Sequence, residues 1–187
     1  MKNFQITSER IVSREFLKRG VSDFHSALHF IRHLPYGRNK DKVNLVTLFT
    51  DHCGTCSTKH ALLKQLADEN NATDVVLTMG LFKMNAANTP AVARTIAEAQ
   101  LEFIPEAHCY LKVNGERVDV MSANSHPENF INDLLEEKEI RPDQITDYKV
   151  SYHRNYLERW LNENSGIKYT LDGLWTIREQ CIKDLGT

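Results

Sequence analysis

The spacing of apolar residues predicts several amphipathic helices. Apolar positions recur at near-helical spacing through residues 22–34, with Ser22 as a plausible N-cap and Pro35 as the stop. A second helix follows Thr55 and presents an apolar stripe of leucines. Further helices are predicted for residues 89–100, 127–137 and 149–164, and a last helix begins after Thr170 and ends before Gly186.

Three segments have the character of strands. Residues 74–84 form a continuous apolar run, which is typical of a buried strand. Residues 107–113 and 116–121 flank an Asn-Gly pair, the strongest short-range signal for a β-hairpin. Residues 43–49 are apolar and β-branched enough for a strand, although a short buried helix also fits.

The hairpin fixes which side chains share a face. The partners expected across a two-residue turn are Val113 and Glu116, Leu111 and Val118, and Cys109 and Val120. These residues place an apolar face against the core, apart from Glu116 beside the turn. The opposite face carries His108 and Tyr110, with Asp119 across from Tyr110 and diagonal to His108. Diagonal neighbours lie within reach of a side-chain hydrogen bond, so an imidazole and a carboxylate are expected side by side.

Composition excludes several classes of protein. The 187 residues are 41% hydrophobic and 26% charged, which is typical of one globular domain. A net charge of −2 argues against binding to nucleic acid or anionic lipid. No run of apolar residues is long enough for a membrane span, and the start lacks a signal-peptide pattern. Four cysteines without an export signal predict a reducing, cytoplasmic location.

Cys56 is the candidate nucleophile. It lies in the first turn of the helix after Thr55, where free backbone N–H groups and the helix dipole lower the pKa of a thiol. A His108 ring oriented by Asp119 would take the thiol proton. The sequence therefore predicts a Cys-His-Asp triad for attack on an amide or ester carbonyl.

These residues resemble the transglutaminase-like superfamily of papain-like cysteine enzymes. The resemblance rests on Gly54-Thr55-Cys56 opening a helix, the strand after it, His108 and Asp119, and it covers residues 22–121. It implies an α+β fold, a small antiparallel sheet packed by helices with the catalytic cysteine at a helix N-terminus. Residues 1–187 would form one such domain, with a helical C-terminal extension from about residue 122.

The same resemblance implies cysteine-dependent acyl transfer, or hydrolysis of an amide or peptide, without a cofactor. The expected partner is a peptide or a small amide-bearing substrate, and no metal is required. Cys56, His108 and Asp119 would be nucleophile, base and orienting group. Tyr36 is the candidate for a second oxyanion donor.

A redox function is the main alternative. Cys53 and Cys56 form a CxxC before a long helix, and Ile104-Pro105 before the hairpin resembles the proline of thioredoxin-like proteins. Cys53 would then be the attacking thiol and Cys56 the resolving one. The polar hairpin face and the long C-terminal segment have no role in that reading.

Zinc binding is a third possibility. Cys53, Cys56 and His60, joined by His108 or Cys109, have the ligand types of a tetrahedral site. A single CxxC is weak support, because no second ligand pair completes the set. A fourth possibility is a binding module that has this fold but no catalytic activity.

Overall fold

The computed structural model describes residues 3–186, and a small antiparallel sheet lies at its centre. The strands are β1 (Val75–Met84), β2 (Ile104–Val113), β3 (Glu116–Val118) and β4 (Leu134–Glu139). They lie side by side in the order β3-β2-β1-β4. The described chain is therefore α+β with a four-stranded antiparallel sheet, as the sequence predicted.

The α-helices precede, separate and follow the strands. They are α1 (Ile11–Leu17), α2 (Phe24–Arg32), α3 (Thr47–Asp51), α4 (Cys56–Glu69), α5 (Ala93–Glu98), α6 (Asp147–Glu163) and α7 (Leu171–Asp184). Short 3-10 turns occupy Pro90–Val92, Pro127–Asn129, Ile131–Asp133 and Pro142–Ile145.

Helices cover both faces of the sheet. The first four helices pack on one face, and α4 contributes the fully buried Leu62, Leu63 and Leu66 to that core. Helices α6 and α7 pack on the other face with α5, through residues such as Leu157 and Leu174. Strands β1 and β2 are consequently buried on both sides, which explains why their apolar runs are nearly continuous.

The predicted hairpin register is confirmed up to Val118. Val113 pairs with Glu116 and Leu111 with Val118, but the ladder ends there, two residue pairs before the expected end at Cys109–Val120. The chain turns away because the backbone N–H of Val120 donates to His60 on α4 instead of to a strand. This early exit leaves the edge of β2 open beside His108 and Cys109.

The predicted helix over residues 127–137 is wrong. Two 3-10 turns lead into β4, which pairs with β1 although its residues, Leu-Leu-Glu-Glu-Lys-Glu, favour a helix. Glu137 of β4 accepts hydrogen bonds from Tyr110, Lys112 and Arg117 across the sheet, and these tertiary contacts override local propensity. The segment after residue 122 is therefore part of the sheet, not only a helical extension.

Two smaller expectations also need correction. The N-cap of α2 is Asp23, whose carboxylate accepts from the N–H of Ser26, not Ser22. Residues 43–49 contain no strand, and the end of that segment enters α3, so the helical alternative is the better description.

Candidate active site

Cys56 is the first residue of α4 and is 7% exposed. Thr55 is the N-cap: its hydroxyl accepts from the N–H of Thr58, whose hydroxyl accepts from the N–H of Thr55. The N–H groups of Cys56 and Ser57 form no hydrogen bond within residues 3–186. They are free to donate to a group bound beside the sulfur.

His108 and Asp119 meet as the sequence predicted. The Nε2 atom of His108 lies 3.0 Å from Oδ2 of Asp119, and the two residues are only 6% and 3% exposed. The other carboxylate oxygen, Oδ1, accepts from the N–H of Met121 at 2.9 Å. Phe130 packs edge-on against the imidazole with ring centroids 5.0 Å apart. The ring is thus fixed by a carboxylate and by an aromatic wall.

Cys56, the third member of the predicted triad, lies beside His108 in the same cleft. The His108 ring and the backbone N–H of Cys109 lie near enough to the Cys56 sulfur for both to lower the pKa of its thiol. Because Nε2 of His108 faces Asp119, the ring presents Nδ1 to Cys56. The Cys109 amide is available because the β2–β3 ladder ends before it.

The charges of the site favour a thiolate beside an imidazolium. Burial raises the pKa of Cys56, but the cations Lys149 and His108 outweigh burial and bring it to about 6. Burial lowers the pKa of His108, but Asp119 and Cys56 outweigh it and hold that pKa well above its ordinary value. Near neutral pH both groups therefore carry charge.

Two side chains of α4 hold the loop that carries Asp119. The Nζ of Lys59, fully buried, donates to the carbonyls of Leu34 and Met121. His60 lies with Nδ1 2.7 Å from the Cys56 carbonyl, and its Nε2 accepts from the N–H of Val120. Burial lowers the pKa of His60 to about 4, so it is a neutral brace and not a second base.

Lys149 is a member of the site that the sequence reading missed. Its Nζ donates to the hydroxyl of Ser57 at 2.7 Å, and that oxygen lies 3.9 Å from the sulfur of Cys56. The ammonium occupies one acceptor position of Ser57, so the hydroxyl proton is free to point at the sulfur. Burial lowers the pKa of Lys149, but the neighbouring sulfurs and Glu106 raise it above its ordinary value. Lys149 is therefore a charged donor and not a base.

The spacing of residues on α6 could have predicted that Lys149 is buried. The buried face of α6 is Lys149, His153, Leu157 and Trp160, at spacings of four, four and three residues. Extending the apolar stripe of Leu157 and Trp160 one and two turns towards the N-terminus reaches both polar residues. Tyr152 and Tyr156, which also have helical spacing, lie on a neighbouring face of α6 that is only partly buried.

Cys56 lies where two cavities meet. The larger, of about 230 Å³, is also lined by His108, Asp119 and Phe130 and has a mostly apolar wall. The smaller, of about 70 Å³, is lined by residues of α4, α6 and α7, with Lys149 among them. A substrate reaching the sulfur can therefore extend in two chemically different directions.

Tyr36 lines both cavities next to Cys56, as its candidate role requires. Its backbone bridges to Gly54 in the loop before α4, which places it beside the sulfur-bearing turn. Burial, with a smaller contribution from Cys56, raises the pKa of its hydroxyl above the ordinary value. Tyr36 is therefore a proton donor at every physiological pH.

Cys53 has a different environment from Cys56. Its sulfur faces the carbonyl of Arg38 at 4.0 Å, and burial raises the pKa of its thiol. The Ile104-Pro105 peptide is trans, and α3, not a strand, precedes the CxxC. Within residues 3–186, no group of three histidine, cysteine, aspartate or glutamate side chains is arranged to hold a metal ion.

Comparison of the chain with models of protein families, with curated proteins and with solved structures finds no match. Among the described helices, none combines the length and the apolar character needed to cross a membrane.

Proposed function

We propose that the protein is a cysteine-dependent acyl-transfer enzyme or amide hydrolase that uses Cys56, His108 and Asp119. One observation carries this proposal: Cys56, His108 and Asp119 line the same cleft, with the carboxylate hydrogen-bonded to the imidazole. The cleft supplies room for a substrate, and the charges supply a nucleophile near neutral pH.

The proposed reaction starts from the thiolate of Cys56 and the imidazolium of His108. The Cys56 thiolate attacks the carbonyl carbon, a carbon–sulfur bond forms, and the carbonyl electron pair moves to oxygen. The N–H groups of Cys56 and Ser57, which have no acceptor within residues 3–186, and the hydroxyl of Tyr36, which lines the cleft, would bind that oxyanion. The intermediate then collapses, the bond to the leaving amine breaks, and imidazolium His108 donates its proton to the amine.

The resulting thioester is resolved by a second nucleophile. His108, now neutral, takes a proton from water or from an acceptor amine, and that nucleophile attacks the acyl carbon. The carbon–sulfur bond breaks and returns the thiolate, while His108 regains its charge. Asp119 keeps the ring oriented throughout and is not itself protonated.

Labelling with iodoacetamide tests the proposal. In native protein we expect Cys56 to be alkylated first, with a rate that rises as pH passes through about 6. Replacing Cys53 with alanine should not change that rate, whereas His108→Ala should lower it by about tenfold or more at pH 7, because the thiol pKa returns towards 8.5. Peptide mass spectrometry identifies the labelled residue.

The redox alternative predicts the opposite pattern. Cys53 would react first, and a reversible Cys53–Cys56 disulfide would form under mild oxidation. The raised pKa of Cys53 and the lowered pKa of Cys56 favour acyl transfer, because an attacking thiol needs the lower value.

Mixing the protein with p-nitrophenyl acetate adds a direct check: an acetyl group should be trapped on Cys56 of the native protein, and no such adduct should form in Cys56→Ser.

A further inference from the structure

The smaller cavity beside Cys56 has an excess of positive charge. Four of its lining residues are cations and one, Glu106, is a carboxylate. Arg178 forms salt bridges with Glu106 and Glu179, and Arg38 forms one with Glu179. The other two, Lys42 and Lys149, have no salt bridge to any carboxylate within residues 3–186. A small cavity in which cations outnumber carboxylates, and two ammonium groups have no salt bridge, is suited to an anion.

Lys149 is the group in the smaller cavity that would bind an anion. Its ammonium is buried with three N–H donors, and its hydrogen-bond partner is the neutral hydroxyl of Ser57. The thiolate of Cys56 supplies negative charge in the free enzyme. Once Cys56 is acylated that charge is lost, and Glu106, which also favours the ammonium, has its salt bridge with Arg178. A buried ammonium with so little compensation is costly. An anion carried by the acyl group would replace the lost charge.

The position of His108 decides which part of the substrate enters this cavity. His108 lines the larger cleft but not the smaller cavity. Because His108 must reach the leaving group, that group occupies the larger cleft. The acyl part then points the other way, past Tyr36 and Ser57. A volume of about 70 Å³ admits a carboxylate on a short chain and no large ring.

We propose that the smaller cavity binds a free carboxylate in the acyl part of the substrate, so that Cys56 acts on amides or esters of short dicarboxylic acids. The assignment rests on the acyl-transfer function proposed above. Lys149 holds the inner oxygen of the carboxylate, and Lys42 at the mouth attracts it.

Two alkylating reagents that differ only in charge test the assignment. Iodoacetate and iodoacetamide both transfer a methylene carbon to sulfur with loss of iodide, but only iodoacetate carries a carboxylate. The protein used is Cys53→Ala, and the quantity measured is the ratio of the two alkylation rates at Cys56. A change in the thiol pKa alters both rates equally and cancels in the ratio.

We expect the ratio of iodoacetate to iodoacetamide rates to exceed that of 2-mercaptoethanol by about tenfold at low salt, and to fall as salt is added. Lys149→Met and Lys42→Glu should each lower the ratio by at least about threefold. Lys40→Glu is the matched control, because Lys40 is exposed on the same loop and lines neither cavity. It should leave the ratio nearly unchanged.

A ratio equal to that of the small thiol overturns the assignment, as does a high ratio that survives both Lys149→Met and Lys42→Glu. Lys42 is exposed, so Lys42→Glu keeps the test decisive if Lys149→Met does not fold. The two proposals fail separately. Slow reaction with iodoacetamide contradicts the acyl-transfer function, whereas fast reaction with an ordinary ratio contradicts only the carboxylate site.

Discussion

His108 holds its proton because negative groups face both of its ring nitrogens. Asp119 lies at one nitrogen and the sulfur of Cys56 at the other, and together they outweigh the burial that would otherwise neutralise the ring. The imidazolium in turn helps to hold the thiolate. The protonation states of the three residues are therefore coupled, and a change in one shifts the others.

Asp119→Asn tests this coupling at the level of one atom. The amide keeps the shape of the carboxylate but not its charge, so the pKa of His108 should fall and that of Cys56 should rise by about one unit or more. In Cys53→Ala protein, the iodoacetamide rate should then rise with pH near 7 to 8 instead of near 6. Asp143→Asn, at an exposed pair with Arg141, should leave the profile in place. An unchanged profile in Asp119→Asn would contradict the triad.

At the scale of the element, α4 organises the site from one end. Its first residue is Cys56, its cap is Thr55, and its first buried turns hold the Asp119 loop through Lys59 and His60. A buried lysine on a helix that otherwise fills the core is unexpected from composition. It is explained by the two backbone carbonyls that Lys59 satisfies, since neither has a strand partner at that point.

Lys59→Met should destabilise the protein by about 2–4 kcal/mol, because two partly buried carbonyls lose a charged, fully buried donor. Urea unfolding measures the change. Lys64→Met on the same helix removes only an exposed pair with Asp68 and should cost no more than about 0.5 kcal/mol.

The pH dependence of Lys59→Met gives an independent check. Burial lowers the pKa of Lys59 to about 8 from the ordinary 10.5, so the unfolded chain binds more protons across that interval. Stability therefore gains from Lys59 as pH rises from 8 to 10.5, and the variant should lack that gain. A variant as stable as the parent would show that Lys59 does not hold the loop.

At the scale of the whole molecule, the C-terminal helices close the site over the sheet. Glu106 on β2 and Arg178 on α7 form two hydrogen bonds, of 2.7 and 2.5 Å, across 72 residues of sequence. His153 on α6 adds a ring nitrogen 2.8 Å from the Pro105 carbonyl. These contacts bring Lys149 to Cys56, so the site requires the segment after residue 122.

Glu106→Gln should cost about 3–5 kcal/mol, because it leaves the buried Arg178 guanidinium without its main counter-charge. The double variant Glu106→Gln, Arg178→Met should be less destabilised than the sum of the single variants. Glu98→Gln, at an exposed pair with Arg94, is the control and should change little. Urea unfolding again provides the measurement, and additive single effects would contradict the pair.

Acid unfolding follows from the same pair. Burial raises the pKa of Glu106, but Arg178 and His153 outweigh it and bring it to about 2 from the ordinary 4.5. The stabilisation is fully present above pH 4.5 and is lost as pH falls towards 2. Glu106→Gln should therefore unfold with a weaker dependence on pH in that window.

Local patterns were sufficient for much of the framework. The Thr55 cap, the helix that begins at Cys56, the Thr170 cap and the Asn-Gly hairpin all depend on interactions between residues close in sequence. The meeting of His108 and Asp119 was predicted for the same reason, because a two-residue turn sets the register of both strands. Each of these features is encoded within a few residues, so the sequence could determine it.

The tertiary structure alone decided the rest. Strand β4 forms because β1 offers an open edge and Glu137 finds partners across the sheet, against the helical preference of its own residues. Lys149 reaches Ser57 across 92 residues; the stripe on α6 can mark Lys149 as buried, but it does not identify Ser57 as its partner. A buried charge is tolerated only where distant groups compensate it, and which groups those are is settled only when the chain has folded.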